Sequence, residues 1–240
     1  MKPKRGRKII LWVLLGLPLA CILFALASYI SNLSLPQGSA LVDRLSAQDK
    51  AQLAEFYQLK AGLGDEVWPG FGSQAGLVIL YNEEYAFLVG VQNPPDGWVK
   101  VPETRIRGGA WEVVPADDFE GQPYYRQRVT DPGNEIGAFT VRIGEQYAAS
   151  LATLEWMRIG LAGKMREELP PVVAEVFPYR IFPIGTFTAE WHIFGLQHEA
   201  FHAFEGVQAP QRLDEAELAD RNVSQAYSSG SKAMTDDRNV

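Results

Sequence analysis

Apolar positions run unbroken from Ile9 to Ile30, IILWVLLGLPLACILFALASYI, with no charge in 22 residues. As a helix this run is about 33 Å long at 1.5 Å per residue, enough to cross a hydrocarbon core of about 30 Å. Trp12 and Tyr29 stand near its two ends, where amphipathic rings favour the headgroup level. Pro18 lies mid-span, which a membrane helix tolerates better than a soluble one. The segment is therefore read as a signal-anchor over residues 1–30, with cleavage after Ala27 as the competing reading. A polar linker with Pro36 and Gly38 follows over 31–45.

Beyond the linker the pattern becomes periodic. Ser46-Ala47-Gln48-Asp49 has the form of a capping box, and Leu53, Phe56, Tyr57 and Leu59 give the helix it starts an apolar stripe. Gly62 and Gly64 are read as its end. Alternation of period two then predicts strands at Leu77–Tyr81 and Tyr85–Val91, a hairpin about Asn82-Glu83-Glu84. Further short strands are read at 98–101, 111–114, 124–129 and 138–143, separated by turn residues such as Pro94-Pro95-Asp96-Gly97. From Glu145 to Leu169 the spacing of Tyr147, Leu151, Leu154, Met157, Leu161 and Met165 predicts a helix that Pro170-Pro171 stops. Residues 172–182 read as extended, and helices are expected over Glu190–Val207 and Leu213–Tyr227. Strands first and helices later predict an α+β domain over 46–227, strand-rich in its first half and helical in its second. Residues 228–240 read as a polar tail or a truncated end.

Charge separates the two parts. The chain carries −7, and without the five basic residues Lys2, Lys4, Arg5, Arg7 and Lys8 the remainder carries −12. The basic flank predicts a cytoplasmic N-terminus and an outward-facing domain, periplasmic or extracellular, anchored in the bilayer through residues 9–30. An acidic domain without a basic stripe argues against nucleic acid as a partner. The single cysteine, Cys21, falls in the apolar run, so the domain has no disulfides and must be held by its core.

All three histidines lie within Trp191-His192-Ile193-Phe194-Gly195-Leu196-Gln197-His198-Glu199-Ala200-Phe201-His202-Ala203-Phe204-Glu205. His198 and His202 are four apart, so a helix projects both imidazoles from one side, where they can share a metal ion. Glu199 stands about 100° further round, placed to take a proton from an attacking water rather than to ligate. On a helical wheel His192, Gly195, His198, Glu199, His202 and Glu205 share a sector of roughly 140°. Ile193, Leu196, Ala200, Phe201, Ala203 and Phe204 occupy the other side as the expected core face. Gly195, mid-sector, is expected to leave space beside the ion.

This HExxH stretch resembles the zincin superfamily of zinc metallopeptidases over about fifteen residues. The resemblance implies a zincin-like fold, with His198 and His202 as Zn²⁺ ligands, Glu199 as general base, and a peptide or protein as substrate. No histidine follows His202, which excludes the metzincin branch. The gluzincin-like branch takes a carboxylate from a following helix; Glu217 and Asp220 share a face there at i and i+3, and Glu217 is the preferred third ligand. Asp220 and Glu205 are the alternatives, although Glu205, on the same helix as the histidines, suits a supporting position better.

Other chemistries find less in the chain. A second ExxH pair, which a di-iron bundle requires, is lacking. Neither a G-x-S-x-G elbow nor a cysteine outside the apolar run supports nucleophilic catalysis. A second class of reading stays open beside the peptidase: a non-catalytic envelope domain for binding or assembly, in which the histidine helix is structural or degenerate.

Overall fold

The computed structural model describes residues 4–129, 137–216 and 218–219, with side chains from Leu15 onward. Two compact units emerge, one from the residues up to Ser39 with Glu155–Thr188, the other from Ala40–Leu154 with the residues from Ala189 onward. The single domain read over 46–227 in the sequence thus has one stretch, Glu155–Thr188, that groups with the N-terminal helix.

In the first unit α1 runs from Lys4 to Asn32 and contains Pro18 without a break. It is long and apolar enough over Leu15–Asn32 to cross a membrane. α3 (Leu154–Glu168) begins at the end of the sheet and leads into two short helices, α4 (Pro171–Val176) and α5 (Phe182–Thr186). Sequence alternation suggested an extended 172–182. Pro171 decides otherwise, because its fixed φ and missing N–H suit the first turn of a helix. Asn32 clamps this segment to α1: its Nδ2 donates to the carbonyls of Glu175 and Phe177 at 3.0 and 2.9 Å.

The second unit is a curled eight-stranded sheet in the order β4-β3-β7-β8-β1-β2-β6-β5. β1 (Leu77–Tyr81) and β2 (Tyr85–Val89) form the hairpin read from the sequence, with Val78 opposite Val89. β3 (Trp98–Lys100), β4 (Ile106–Arg107), β5 (Glu112–Val113), β6 (Tyr125–Arg128) and β7 (Ala138–Ile143) extend it antiparallel on both sides. Besides the two-residue β4, the strand missed in the sequence is β8 (Gln146–Ala152), which the period of 145–169 had assigned to a helix. It sits in the middle of the sheet, antiparallel to β7 and parallel to β1, with Leu77 opposite Ala148. Alanine is a poor strand former, yet Ala148, Ala149 and Leu151 are fully buried here, and packing from both faces outweighs propensity.

The two faces of the sheet have different tasks. Leu77, Ile79, Leu88, Tyr125, Val141 and Ile143 turn to the inside of the curl and pack on one another. There a cavity of roughly 70 Å³ is lined by Tyr81, Trp98, Lys100, Arg107, Phe139 and Ser150 among others. The opposite face, with Tyr147 and Leu151, carries α6 (Ala189–Gln208). Beside α6 lies α2 (Ala47–Val67), tied to it by Gln197 Nε2 donating to Phe56 O at 2.8 Å. The capping box is present: Ser46 Oγ accepts from Asp49 N, and Asp49 Oδ2 accepts from Ser46 N. Gly62 and Gly64, read as a stop, lie inside α2. Gly64 serves instead as a contact, since a Cβ there would meet Gly72 Cα at 2.6 Å. At the class level the α+β expectation holds.

Candidate metal centre

No proline interrupts α6, and Glu190 in its first turn complements the positive end of the helix dipole. The helix seats itself by small residues: Ala200 and Ala203 are buried, and Gly206 lies so close to Tyr147 that a Cβ would meet the ring at 2.7 Å. Aromatic rings grip it from the side, with Phe71 edge-on to Phe201 at 5.5 Å and to Phe204 at 5.6 Å. These contacts fix the rotation of the helix, and that rotation differs from the wheel expectation.

The buried side comprises His192, Leu196, Glu199, Ala200, Ala203, Phe204 and Gly206. Ile193 and Phe201, expected in the core, are half-buried. The titratable sector is therefore split. His192 is fully buried, and its Nε2–H donates to the carbonyl of Ala152 at 2.9 Å, the last residue of β8. Glu199 is 6% exposed. His198 is exposed and His202 half-buried. The space expected beside Gly195 is occupied, with Leu151 Cδ2 standing 3.4 Å from where its Cβ would be. Leu151 belongs to β8, so no reading that made 145–169 a helix could have found it.

The two motif histidines do come together. Their Nε2 atoms are 3.1 Å apart, and their rings cross at 87° with centroids 4.6 Å apart. On the far side of the second ring, His202 Nδ1 lies 3.2 Å from Glu205 Oε2. A proton on Nδ1 donated to that carboxylate leaves the Nε2 lone pair of His202 directed at His198. His198 Nε2–H then donates across the 3.1 Å gap, and a shift of that proton to Nδ1 exposes a second lone pair to the same point.

Donor chemistry and spacing can be tested against an ion. Nitrogens held at about 2.0–2.1 Å by a tetrahedral zinc stand about 3.3–3.4 Å apart, so the observed separation requires only a small opening. The carboxylate on the outer nitrogen is the arrangement that orients metal-binding imidazoles and raises their basicity. Glu205 thus approaches the ring nitrogen remote from the shared point. Among the described residues no third His, Cys, Asp or Glu completes a three-ligand cluster. Glu217 and Asp220 lie outside the described residues.

Three further residues share the outer surface of α6 or flank it. Phe194, one turn before His198, is 70% exposed, and Trp191 is also exposed. Trp68 packs edge-on to Phe201 at 6.1 Å. The sequence held no sign that Trp68 would meet α6.

Comparison with known proteins supplies no family. No family model, no curated protein and no solved structure matches the chain.

Proposed function

We propose that this chain is a membrane-anchored zinc metallopeptidase of zincin type, facing outward from its N-terminal helix, in which His198 and His202 hold the ion. The observation that carries the reading is the 3.1 Å approach of the two Nε2 atoms, backed by Glu205 on the outer nitrogen of His202. Zinc so held supplies Lewis acidity, polarising a scissile carbonyl and lowering the pKa of water towards about 7. Glu199 takes the proton of the attacking water and passes it to the leaving amine. Phe194 offers apolar surface for a substrate side chain beside the pair. Glu217 is the preferred third ligand, with Asp220 and Glu205 as the alternatives.

The test is metal content of the purified full chain against a His198→Ala/His202→Ala double variant. Near-stoichiometric zinc that the double variant loses, with peptide hydrolysis that Glu199→Gln abolishes, supports the peptidase. Glu205→Gln is expected to weaken zinc binding about 10–100-fold while leaving the fold intact. Folded wild type with no zinc and no hydrolysis ends the proposal.

The burial of Glu199 favours a second reading, a non-catalytic envelope domain for binding or assembly in which the histidine helix is structural or degenerate. It forecasts no hydrolysis with or without zinc, and a Glu199→Gln variant whose only change is in stability.

A further inference from the structure

The segment from Pro170 to Phe187, PPVVAEVFPYRIFPIGTF, contains two charged residues, Glu175 and Arg180. Within the first unit it does not fold its apolar side chains away. Ala174, Tyr179 and Pro183 are buried, while Val172, Val173, Ile181, Phe182 and Ile184 are exposed, Val172 by 82% and Ile181 by 65%. So many neighbouring apolar side chains left open mark a surface with an occupant.

Position along α1 identifies that occupant. The segment is clamped to the last turn of the membrane-length helix: Asn32 donates to Glu175 O and Phe177 O, and α4 packs against α1. Ser28, one turn or about 6 Å deeper, is buried, unlike most of its neighbours on α1. Arg180 turns back along the chain leaving α1, where Nη2 donates to Ser34 O at 2.5 Å and to Ser34 Oγ at 2.9 Å. At the other end Arg158 fastens Phe187, donating from Nε and Nη2 to its carbonyl at 3.0 and 2.7 Å. A rigid apolar ledge is thus fixed at the level where α1 would leave hydrocarbon.

We infer that α4 and α5 lie in the interface of the bilayer that α1 crosses, with Val172, Ile181, Phe182 and Ile184 in the boundary between headgroups and acyl chains. Interfacial helices bury their apolar side about 5–10 Å into that boundary, which matches a clamp spanning Ser28 to Asn32. Arg180 and Glu175 reach the headgroup side from the same backbone. The inference rests on α1 spanning the membrane and is independent of the metal centre. It makes the protein membrane-bound at two places, one spanning and one in-plane. α6 begins at Ala189, two residues after the ledge ends.

The experiment uses the full chain in phosphatidylcholine nanodiscs with a single nitroxide label, read by collision with oxygen and with a water-soluble nickel chelate. Native Cys21, in the middle of α1, reports whether that helix spans. Phe182→Cys and Ile184→Cys, each with Cys21→Ser, report the ledge, and Ile106→Cys, 72% exposed on the other unit, reports water. The expected result is an oxygen-to-nickel ratio highest at Cys21, intermediate at 182 and 184, and several-fold lower at 106. Lipid values at Cys21 with ledge values equal to those at 106 overturn the inference. Ledge labels shielded from both reagents overturn it too, in favour of a protein partner. A water value at Cys21 removes the spanning helix and the ledge together. Two ledge positions guard against a single label that disturbs its own surroundings.

Discussion

α2 and α6 lie side by side in the same unit, yet they are held by different means. α2 adds polar ties to its buried Leu53 and Phe56 and to the close contact at Gly64. Ser46 and Asp49 cap it, Lys50 pairs with Asp117, and the buried Lys60 ammonium donates to the carbonyls of Phe71 and Gln74 at 2.5 and 2.6 Å. α6 sets the fully buried Leu196 and the small residues Ala200, Ala203 and Gly206 in close contact with their surroundings, and His192 and Gln197 add hydrogen bonds. Polar ties tolerate a change of shape but fail when a partner is lost. Close packing does the reverse. Under the proposed metal reading, a helix that presents His198 and His202 at a fixed angle gains from close packing, which limits rotation about its axis.

The largest test of this contrast is Leu196→Ala. Leu196 is fully buried, so the substitution is expected to cost about 2–5 kcal/mol in urea unfolding and, under the proposed metal reading, to weaken zinc binding by freeing the helix to roll. A pair of glycines comes next. Gly206→Ala drives a methyl into Tyr147 and Leu213 and should destabilise by about 1–3 kcal/mol. Gly62→Ala on α2 meets nothing within 4 Å and should stabilise by about 0.5–1 kcal/mol through helix propensity. Equal effects from the two would erase the contrast. Ser46→Ala removes the acceptor for Asp49 N and should cost about 1 kcal/mol, without effect on metal.

The smallest effect is pH-dependent. Burial pushes the Asp117 carboxyl up, but hydrogen bonds from Lys50 and Tyr124 outweigh it and hold it below its ordinary 3.8. A depressed carboxylate stabilises the fold above its unfolded value and loses that contribution as pH falls through the folded one. Asp117→Asn should therefore flatten the acid limb of the stability curve below about pH 4 while adding little slope above it. An unchanged acid limb would remove Lys50–Asp117 from the ties that hold α2.

The same contrast explains what was legible in the sequence. The cap at Ser46, the Leu77–Val89 hairpin and the four-residue spacing of the histidines are local features, and each is where the pattern placed it. β8 was not legible although it forms a local hairpin with β7 across Gly144-Glu145, because its alanines match a helix as well as a strand. The wheel of α6 gave the angles between residues correctly and its absolute rotation wrongly. Side-chain polarity put Glu199 and His192 outward, whereas Tyr147, Leu151 and the Phe71 ring set the helix so that both face in. Gly64 and Gly206 carried the missing information, yet a glycine reads as a stop until the surface it touches is known.

The Asn32 clamp has a consequence in time. Its acceptors lie 143 and 145 residues further along the chain, so at about 5–20 residues per second a ribosome takes roughly 7–30 s to make them after Asn32 itself. Throughout that interval the amide of Asn32 is unmatched. An amide at the end of the helix, within reach of headgroup water, can wait at little cost, whereas the same residue at mid-span could not. Residues 155–188 then arrive as the closing piece of the unit that the N-terminus began, and any nascent chain halted short of them carries α1 without the segment that Asn32 clamps.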